Sequence, residues 1–248
     1  MKHLKSREEF KSINENVSGD KAKNFQVVVK AMKEHGITNQ YTQKAILATI
    51  SKECGFIPKS EKGYGDTENS IIETKFADKI KEYENKNKVK VDIESIKKND
   101  KEFFDMIYGG KRDNDSPGDG YKYRGRGFNQ ITYKRGYKKY NDLINKENKL
   151  GRTVDLINNP DQLNDVDVAA EAAILYFKSN VQSDAMQRKY GTKDINSFKD
   201  QDTALRAIVN INAGLGNDIE GKYVSHLANA TRAANQFTIT STGVSNMA

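Results

Sequence analysis

The sequence predicts a mainly α-helical protein, of α+β class, with one small β element. Apolar residues recur with the spacing of a helix face in five segments, 24–35, 41–54, 165–179, 201–211 and 218–234. Residues 109–127 hold most of the clustered glycines, and residues 121–133 alternate as an extended strand does. We therefore expect one domain over residues 21–235, with peripheral segments at 1–20 and 236–248.

The composition allows a large core and indicates an anionic partner. A chain of 248 residues, 36% of them hydrophobic, can bury a large core without disulfide bonds to stabilise it. Its single cysteine, Cys54, excludes an internal disulfide. The net charge of +7 is typical of proteins that bind nucleic acid, acidic membranes or bacterial cell wall. A solvated, lysine-rich surface gives the same charge.

The sequence predicts a soluble protein without stable membrane insertion. The first ten residues are charged and lack an apolar stretch, so no signal peptide is expected. The most apolar window, residues 166–177, contains Asp167 and Glu171 and is too short to span a bilayer.

The helical segments have recognisable stripes and ends. In the first, Phe25, Val28 and Met32 share one face, and Gly36 is a typical C-terminal cap. The later helices are indicated by similar stripes, such as Val168, Ala172 and Leu175, or Leu205, Ile208 and Val209. Residues 82–101 are polar, with at most a short strand around 89–93.

Glu53 is the most informative position of the second helix. It follows Ile46 and Ile50 at helical spacing and precedes Gly55, so its carboxylate should lie near the helix C-terminus. Desolvation and the negative end of the helix dipole would raise the pKa of that carboxyl, as the acid of a glycosidase requires. The pattern is equally typical of a carboxylate that pairs with an arginine.

A second carboxylate could act with Glu53. Glu61 follows eight residues later, in a loop after Gly55 and Pro58, and glycosidases use two carboxylates on opposite sides of the scissile bond. Acidic loop residues are usually only solvated. The candidates on spacing alone are Glu61, Asp66, Glu68 and Glu73.

Residues 118–132 form the segment richest in candidate ligand-binding side chains. If the segment is extended, Arg124, Arg126, Gln130 and Thr132 share one face, and Tyr121, Tyr123 and Asn129 share the other. Aromatic rings, amides and guanidinium groups together suit a carbohydrate cleft. They also suit single-stranded nucleic acid, or a β-hairpin with a charged outer face.

The sequence predicts no metal site and no cofactor. Asp113, Asp115 and Gly118 suggest a calcium loop, but Pro117 and Arg124 occupy positions where ligands belong. The three histidines have no metal-binding spacing, and there is no nucleophile elbow or phosphate-binding loop.

Taken together, these segments resemble glycoside hydrolase family 19, the chitinase-like group that includes many phage endolysins. The resemblance runs from about residue 24 to 234 and is most specific in the Tyr-Arg-Gly-Arg-Gly run at 123–127. The other segments that carry it are 45–56, 60–64 followed by Phe76, 107–110, 118–132, 172–177 and 211–214. Departures from the family pattern are Lys52, Cys54, Gly136 and Ala213.

The resemblance implies a lysozyme-like fold with a cleft between a helical lobe and a small β-containing lobe. It implies that Glu53 is the general acid and Glu61 the second carboxylate, in an inverting reaction with Thr132 helping to hold the water. The residues expected to bind substrate are Tyr64, Tyr123, Arg126, Gln130, Thr132 and Asn212.

The function expected from the resemblance is that of a phage-encoded peptidoglycan hydrolase of lysozyme (muramidase) type, cleaving β-1,4 bonds between amino sugars. Such a protein is made in the bacterial host cytoplasm and acts on the cell wall, either as a free endolysin or on the virion, with other virion proteins as partners. Its expected partner is peptidoglycan and not nucleic acid. The alternatives are a chitinase acting on N-acetylglucosamine polymers and a non-catalytic nucleic-acid-binding protein.

Overall fold

The structure is a computed structural model that describes residues 19–214, 222–240 and 243–246, and it is mainly helical. The first helices are α1 (Gly19–Glu34), α2 (Gln40–Cys54), α3 (Asn69–Asn87), α4 (Ile93–Ile96), α5 (Asp100–Tyr108), α6 (Asp119–Lys122) and α7 (Lys134–Glu147). A 3-10 helix (Pro160–Asn164) precedes α8 (Val166–Val181), α9 (Asp184–Tyr190), α10 (Gln201–Asn212) and α11 (Lys222–Ala234). Strands β1 (Phe237–Thr240) and β2 (Gly243–Asn246) pair antiparallel. The predicted mainly α-helical class is confirmed.

The five predicted helices correspond to α1, α2, α8, α10 and α11. Their ends follow ordinary capping chemistry: Asn39 accepts a hydrogen bond from the Thr42 amide at the start of α2, and Gly55 adopts the left-handed conformation at its end. Helix α1 begins before the predicted segment, at Gly19. Residues 1–18 of the expected peripheral segment 1–20 lie outside the described residues. Residues 218–221 of the predicted helix 218–234 also lie outside them.

Helix α8 is the centre of the fold because two of its faces pack into different apolar clusters. One face, with Ala170, Ile174 and Phe177, packs into the first cluster, which is formed mainly by α1, α2 and α10. Another face, with Val168 and Leu175, packs into the second cluster beside α7. A helix that is apolar over most of its surface is buried in this way.

A third apolar cluster is formed by α3, α4 and α5. Its largest members are Phe76, Phe103 and Phe104, and the partly buried Tyr64 and Tyr108 pack against it. The Tyr64 ring lies 5.0 Å from that of Phe103 and 5.2 Å from that of Phe76, centroid to centroid. This cluster fixes two tyrosines whose hydroxyl groups face away from it, toward Glu61.

The strand predicted at residues 121–133 does not form. Residues up to Lys122 belong to α6, and the only ladder contact in the segment is an isolated antiparallel bridge between Arg126 and Ile131. The chain reverses between these two residues because Gly127 and Gln130 have positive φ angles, 77° and 50°. The predicted division of the segment into two alternating faces is therefore wrong.

Among the described residues, the β element lies instead at 237–240 and 243–246, where the sequence predicts a peripheral tail. Phe237 is buried, and its ring stacks on Phe25 at 5.8 Å and meets Phe56 at 6.2 Å. The aromatic contact joins β1 to the first cluster. Residues 82–101 also differ from expectation, because α3 extends to Asn87 and α4 occupies the end of the predicted strand.

Candidate active site

Glu53 lies in the last turn of α2, and its side chain is 29% exposed. Its Oε1 accepts a hydrogen bond from the Lys52 ammonium at 2.6 Å and lies 3.8 Å from Nδ1 of His226 on α11. Both contacts use the same oxygen, and among the described residues no hydrogen bond or ion pair involves Oε2. One carboxyl oxygen of Glu53 is thus held by basic groups and the other is open to a proton.

The surroundings of Glu53 differ from both sequence-based interpretations. Its neighbours are Lys52 and His226, which contact each other through Nζ and Nδ1, rather than an apolar stripe or an arginine. Lys52 is 17% exposed and Glu53 is partly exposed, so the carboxylate belongs to the surface of the protein. Lys52, the residue before Glu53, thus contacts His226 of α11.

The turn after Glu53 is fixed by backbone conformation, ring packing and one side-chain hydrogen bond. Gly55 and Phe56 both adopt positive φ angles, 58° and 61°, of which the second is unfavourable for a side chain with a Cβ. Phe56 is held there by its ring, which meets that of Phe25 at 5.3 Å, and by Asn24, whose side-chain amide donates to the Phe56 carbonyl at 2.8 Å. Packing thus fixes the chain that leads from Glu53 to the second carboxylate.

Cys54 is not a nucleophile in this arrangement. Burial raises the pKa of its thiol to about 11, and its Sγ donates to the Ile50 carbonyl at 3.3 Å. A protonated thiol is a poor nucleophile. The cysteine next to Glu53 therefore packs as a small apolar residue.

Glu61 is held by three hydrogen-bond donors. Tyr64 donates to Oε1 at 3.0 Å, the Tyr108 hydroxyl lies 3.1 and 3.0 Å from Oε1 and Oε2, and the Gly125 amide donates to Oε2 at 3.4 Å. The Glu61 amide donates in turn to the Gly125 carbonyl at 2.7 Å. Of the four acidic candidates, Asp66, Glu68 and Glu73 are exposed, whereas Glu61 is partly buried and oriented.

The two tyrosines remain hydroxyl donors at every physiological pH. Burial first, and then the negative charge of Glu61, raise the pKa of Tyr64 and of Tyr108 above their usual value. Lys75 donates to the Tyr64 hydroxyl at 2.5 Å and lies 4.8 Å from its ring centroid. The result is a chain of donors that ends at the Glu61 carboxylate.

For an enzyme in which Glu61 is a catalytic carboxylate, replacing Tyr108 with phenylalanine should lower turnover while leaving the fold intact. The variant loses a hydroxyl worth about 1 kcal/mol to the placement of Glu61, so we expect kcat to fall about fivefold with little change in KM. Tyr83→Phe is the matched control, since Tyr83 packs against the same cluster without a hydrogen bond to Glu61. Equal effects in the two variants would contradict a role for Tyr108 in positioning the carboxylate.

Three of the predicted substrate-binding residues line one open cavity of about 400 Å³: Gln130, Thr132 and Asn212. The Asn129 amide, in the same wall, donates to Oδ1 of Asn212 at 3.0 Å. Thr132 donates to the Gln130 carbonyl at 2.9 Å. Neither Glu53 nor Glu61 lines this cavity, which we call the Gln130 cavity.

Two chains of contacts connect Glu61 to the Gln130 cavity. A Cβ added at Gly125 would lie 2.8 Å from Oε1 of Gln130 and 3.3 Å from Oε2 of Glu61, so both side chains flank this glycine. Tyr133 also lines the cavity, and its ring lies 5.3 Å from that of Tyr108. The carboxylate and the polar cavity are therefore near neighbours.

Tyr123 and Arg126 do not contribute to this surface, which corrects the prediction that they contact substrate. Tyr123 is 1% exposed and donates to the Ile157 carbonyl at 3.0 Å. Arg126 is 2% exposed, with hydrogen bonds to Asp161 at 2.7 Å and to the Tyr137 hydroxyl at 2.8 Å. Because the chain reverses at residues 127–130, both side chains point into the protein and hold the glycine-rich segment together. Tyr64, the remaining candidate, is half-buried against the third cluster.

Sequence reasoning missed several residues of this site. Tyr108 lies in the segment 107–110, which is marked only by its resemblance, and no periodicity places its hydroxyl on Glu61. His226 lies far from Glu53 along the chain, and only the packing of α11 on α2 brings them together. Asn129 belongs to the segment that the sequence marked as rich in candidate ligand-binding side chains, and Tyr133 directly follows the predicted Thr132.

In the part of the chain that the structure describes, no group of three His, Cys, Asp or Glu side chains could hold a metal ion. Nor does any helix there have the length and apolar character needed to cross a bilayer. Comparison with known protein families and with curated proteins finds no matching family model and no matching relative.

Proposed function

We propose that this protein is a peptidoglycan hydrolase of lysozyme type, which cleaves β-1,4 bonds between amino sugars of the bacterial cell wall. The observation that carries the proposal is the oriented carboxylate of Glu61, which adjoins the Gln130 cavity. Glu53 supplies a second, partly exposed carboxyl at the end of α2. Glycoside hydrolysis requires one carboxyl group as the acid and another as the base, and the two roles require different environments.

In the proposed reaction Glu53 is the acid. Its proton passes from Oε2 to the glycosidic oxygen while the bond between that oxygen and C1 of the sugar breaks. Oε1 keeps its contact with Lys52 before and after transfer, because a carboxyl group can accept there in either protonation state. The leaving sugar departs as an alcohol.

Glu61 is the proposed base. It takes one proton from a water molecule, whose oxygen forms the new bond to C1 on the face opposite the leaving group, so the anomeric configuration inverts. The donors from Tyr64, Tyr108 and the Gly125 amide fix the direction in which the Glu61 carboxylate accepts that proton. Thr132 and Gln130 would hold the water and the substrate acetamido group.

The family resemblance supports the same assignment and extends it. It places the acid in the segment 45–56, the second carboxylate in 60–64, and Asn212 among the residues that bind substrate. We therefore propose a lysozyme-like fold of family-19 type, with the cleft between a helical lobe and a smaller lobe. On the same basis the protein is phage-encoded, is made in the cytoplasm of a bacterial host, and reaches the wall as an endolysin or with other virion proteins.

A chitinase is the nearest alternative, and parallel assays distinguish the two functions. We expect release of soluble fragments from purified peptidoglycan to exceed turnover of soluble N-acetylglucosamine oligomers at equal sugar concentration. Dominant turnover of the oligomers would overturn the choice of substrate. Absence of both activities in the folded protein would overturn the enzyme assignment itself.

The nucleic-acid-binding alternative finds less support in the arrangement of the arginines. Arg126 is buried, and Arg124 stacks on Tyr121 at 4.2 Å and donates to the Tyr121 carbonyl at 3.0 Å. An arginine whose planar group is already stacked and bonded within the fold offers little to bases or phosphates. The Tyr-Arg-Gly-Arg-Gly run at 123–127 therefore forms the backbone and side-chain contacts around Gly125.

A further inference from the structure

The charge on the wall of the Gln130 cavity is one-sided. Three basic residues line it, Arg112, Arg135 and Lys139, and none of the described residues that line it is acidic. Arg135 pairs with Asp113 at 2.8 Å, whereas no ion pair among the described residues involves Arg112 or Lys139. Two cations of the cavity are therefore available to an anionic ligand.

Both available cations are held at the cavity rather than free to leave it. The Arg112 guanidinium lies 5.0 Å from the ring centroid of Tyr133, and Arg112 has a positive φ of 48°, which directs the chain at this point. The Lys139 ammonium lies 5.2 Å from the ring centroid of Tyr140. Although Lys139 is exposed as a residue, partial desolvation lowers the pKa of its ammonium, as expected for a cation set against a wall.

Asn129, one of the residues that line the cavity, has a side-chain acceptor without a partner among the described residues. Oδ1 of Asn129 is buried and has no hydrogen bond within the described residues, while its amide group is used by Asn212. A buried acceptor of this kind is costly unless a donor reaches it. This oxygen has almost no exposed surface, so a ligand in the cavity does not reach it, and the selectivity of the cavity depends on its charge.

We infer that the Gln130 cavity binds the lactyl-peptide arm of a muramyl residue, with Arg112 and Lys139 facing its carboxylates. This inference rests on the proposed function and specifies what the site selects. N-acetylglucosamine polymers are neutral, so they make no use of the two cations. The peptide-bearing sugar of the cell wall carries the anionic arm that these two cations match.

The test compares two soluble tetrasaccharides, one of alternating N-acetylglucosamine and N-acetylmuramyl residues with stem peptides, and chitotetraose. In the variant Arg112→Gln/Lys139→Gln we expect the KM for the peptide-bearing tetrasaccharide to rise about tenfold. The rise is expected because the variant loses two exposed ion pairs with the carboxylates of the substrate. Its kcat should stay the same, and turnover of chitotetraose should not change.

The matched control is Lys138→Gln/Lys146→Gln, which removes the same charge from exposed positions of α7 that do not line the cavity. It should leave both substrates nearly unaffected. If the control variant showed the same rise in KM, or if the cavity variant lost activity equally on both substrates, the effect would come from general electrostatic attraction between protein and substrate. Either result would overturn the inference.

Binding separates this inference from the proposed function. The dissociation constants of both tetrasaccharides are measured in a Glu53→Gln background, with and without the cavity substitutions. Selective binding that depends on Arg112 and Lys139, without hydrolysis by the parent protein, would refute the proposed function alone. Hydrolysis of cell wall without that selectivity, or displacement of the bound tetrasaccharide by a single-stranded oligonucleotide, would refute the inference.

Discussion

Glu53→Gln is expected to reduce hydrolysis of peptidoglycan by about 10²–10⁴-fold while the protein stays folded and binds wall fragments. Glutamine keeps the oxygen that accepts from Lys52 and replaces the open Oε2 with an amide nitrogen, which has no acidic proton to give to a leaving oxygen. We therefore expect kcat to carry the loss. The free energy of unfolding should change by about 1 kcal/mol or less, because the position is partly exposed.

The control for this substitution is Glu73→Gln, which removes the same charge from an exposed position of α3. It should retain turnover within about a factor of two, as is usual for surface substitutions away from a site. Retained activity in a folded Glu53→Gln variant would contradict the assignment of the acid. The measurement is the rate of fragment release from purified peptidoglycan, with thermal unfolding as the check on folding.

Glu61→Gln is expected to reduce turnover to a similar extent, by about 10²–10⁴-fold, through loss of the base. It should also lower stability, unlike Glu53→Gln, because both oxygens of Glu61 are acceptors in the fold. A glutamine must direct its amide group at the Gly125 amide or at a tyrosine hydroxyl, and a misplaced donor there costs about 1–3 kcal/mol.

The two effects of Glu61→Gln are separated by measuring kcat at a temperature well below the midpoint of unfolding. A folded variant with near-normal turnover would move the second role to Asp66, Glu68 or Glu73. The exposure of those three side chains makes that outcome the opposite of what we expect.

The sequence predicted the parts of this protein that depend on local patterns. Helix α2 follows from the stripe that includes Ile46 and Ile50, and its end follows from Gly55, whose left-handed conformation is intrinsic to glycine. The central helix α8 follows from its apolar run. These elements position Glu53, and the spacing of the sequence alone predicts that Glu53 lies at the end of a helix.

The parts that were not predicted depend on contacts between distant segments. Residues 121–133 alternate like a strand, but the reversal at Gly127 and Gln130 buries Arg126 and exposes Gln130 to a cavity. Helix α7 was missed although Tyr137, Tyr140 and Ile144 form a stripe, because the glycine-rich segment before it suggested β structure. The contact of Tyr108 with Glu61 joins residues that are far apart in sequence, and no periodic pattern contains such information.

Glu53 lies at the end of a helix, as its spacing predicts, but the residues around its carboxylate differ from the prediction. A carboxylate on an apolar stripe implies desolvation, whereas the structure brings His226 from α11 against Lys52 and Glu53. Tertiary packing thus replaced the predicted apolar surroundings with basic ones.

The most direct test of the central claim is the mass and the reducing-end sugar of the fragments released from purified peptidoglycan. Hydrolysis of a β-1,4 bond between amino sugars gives fragments that contain intact stem peptides and a new reducing amino sugar, and Glu53→Gln should release almost none. Fragments that lack a new reducing end, with free amino groups from cleaved peptide bonds, would contradict glycoside hydrolysis by Glu53 and Glu61.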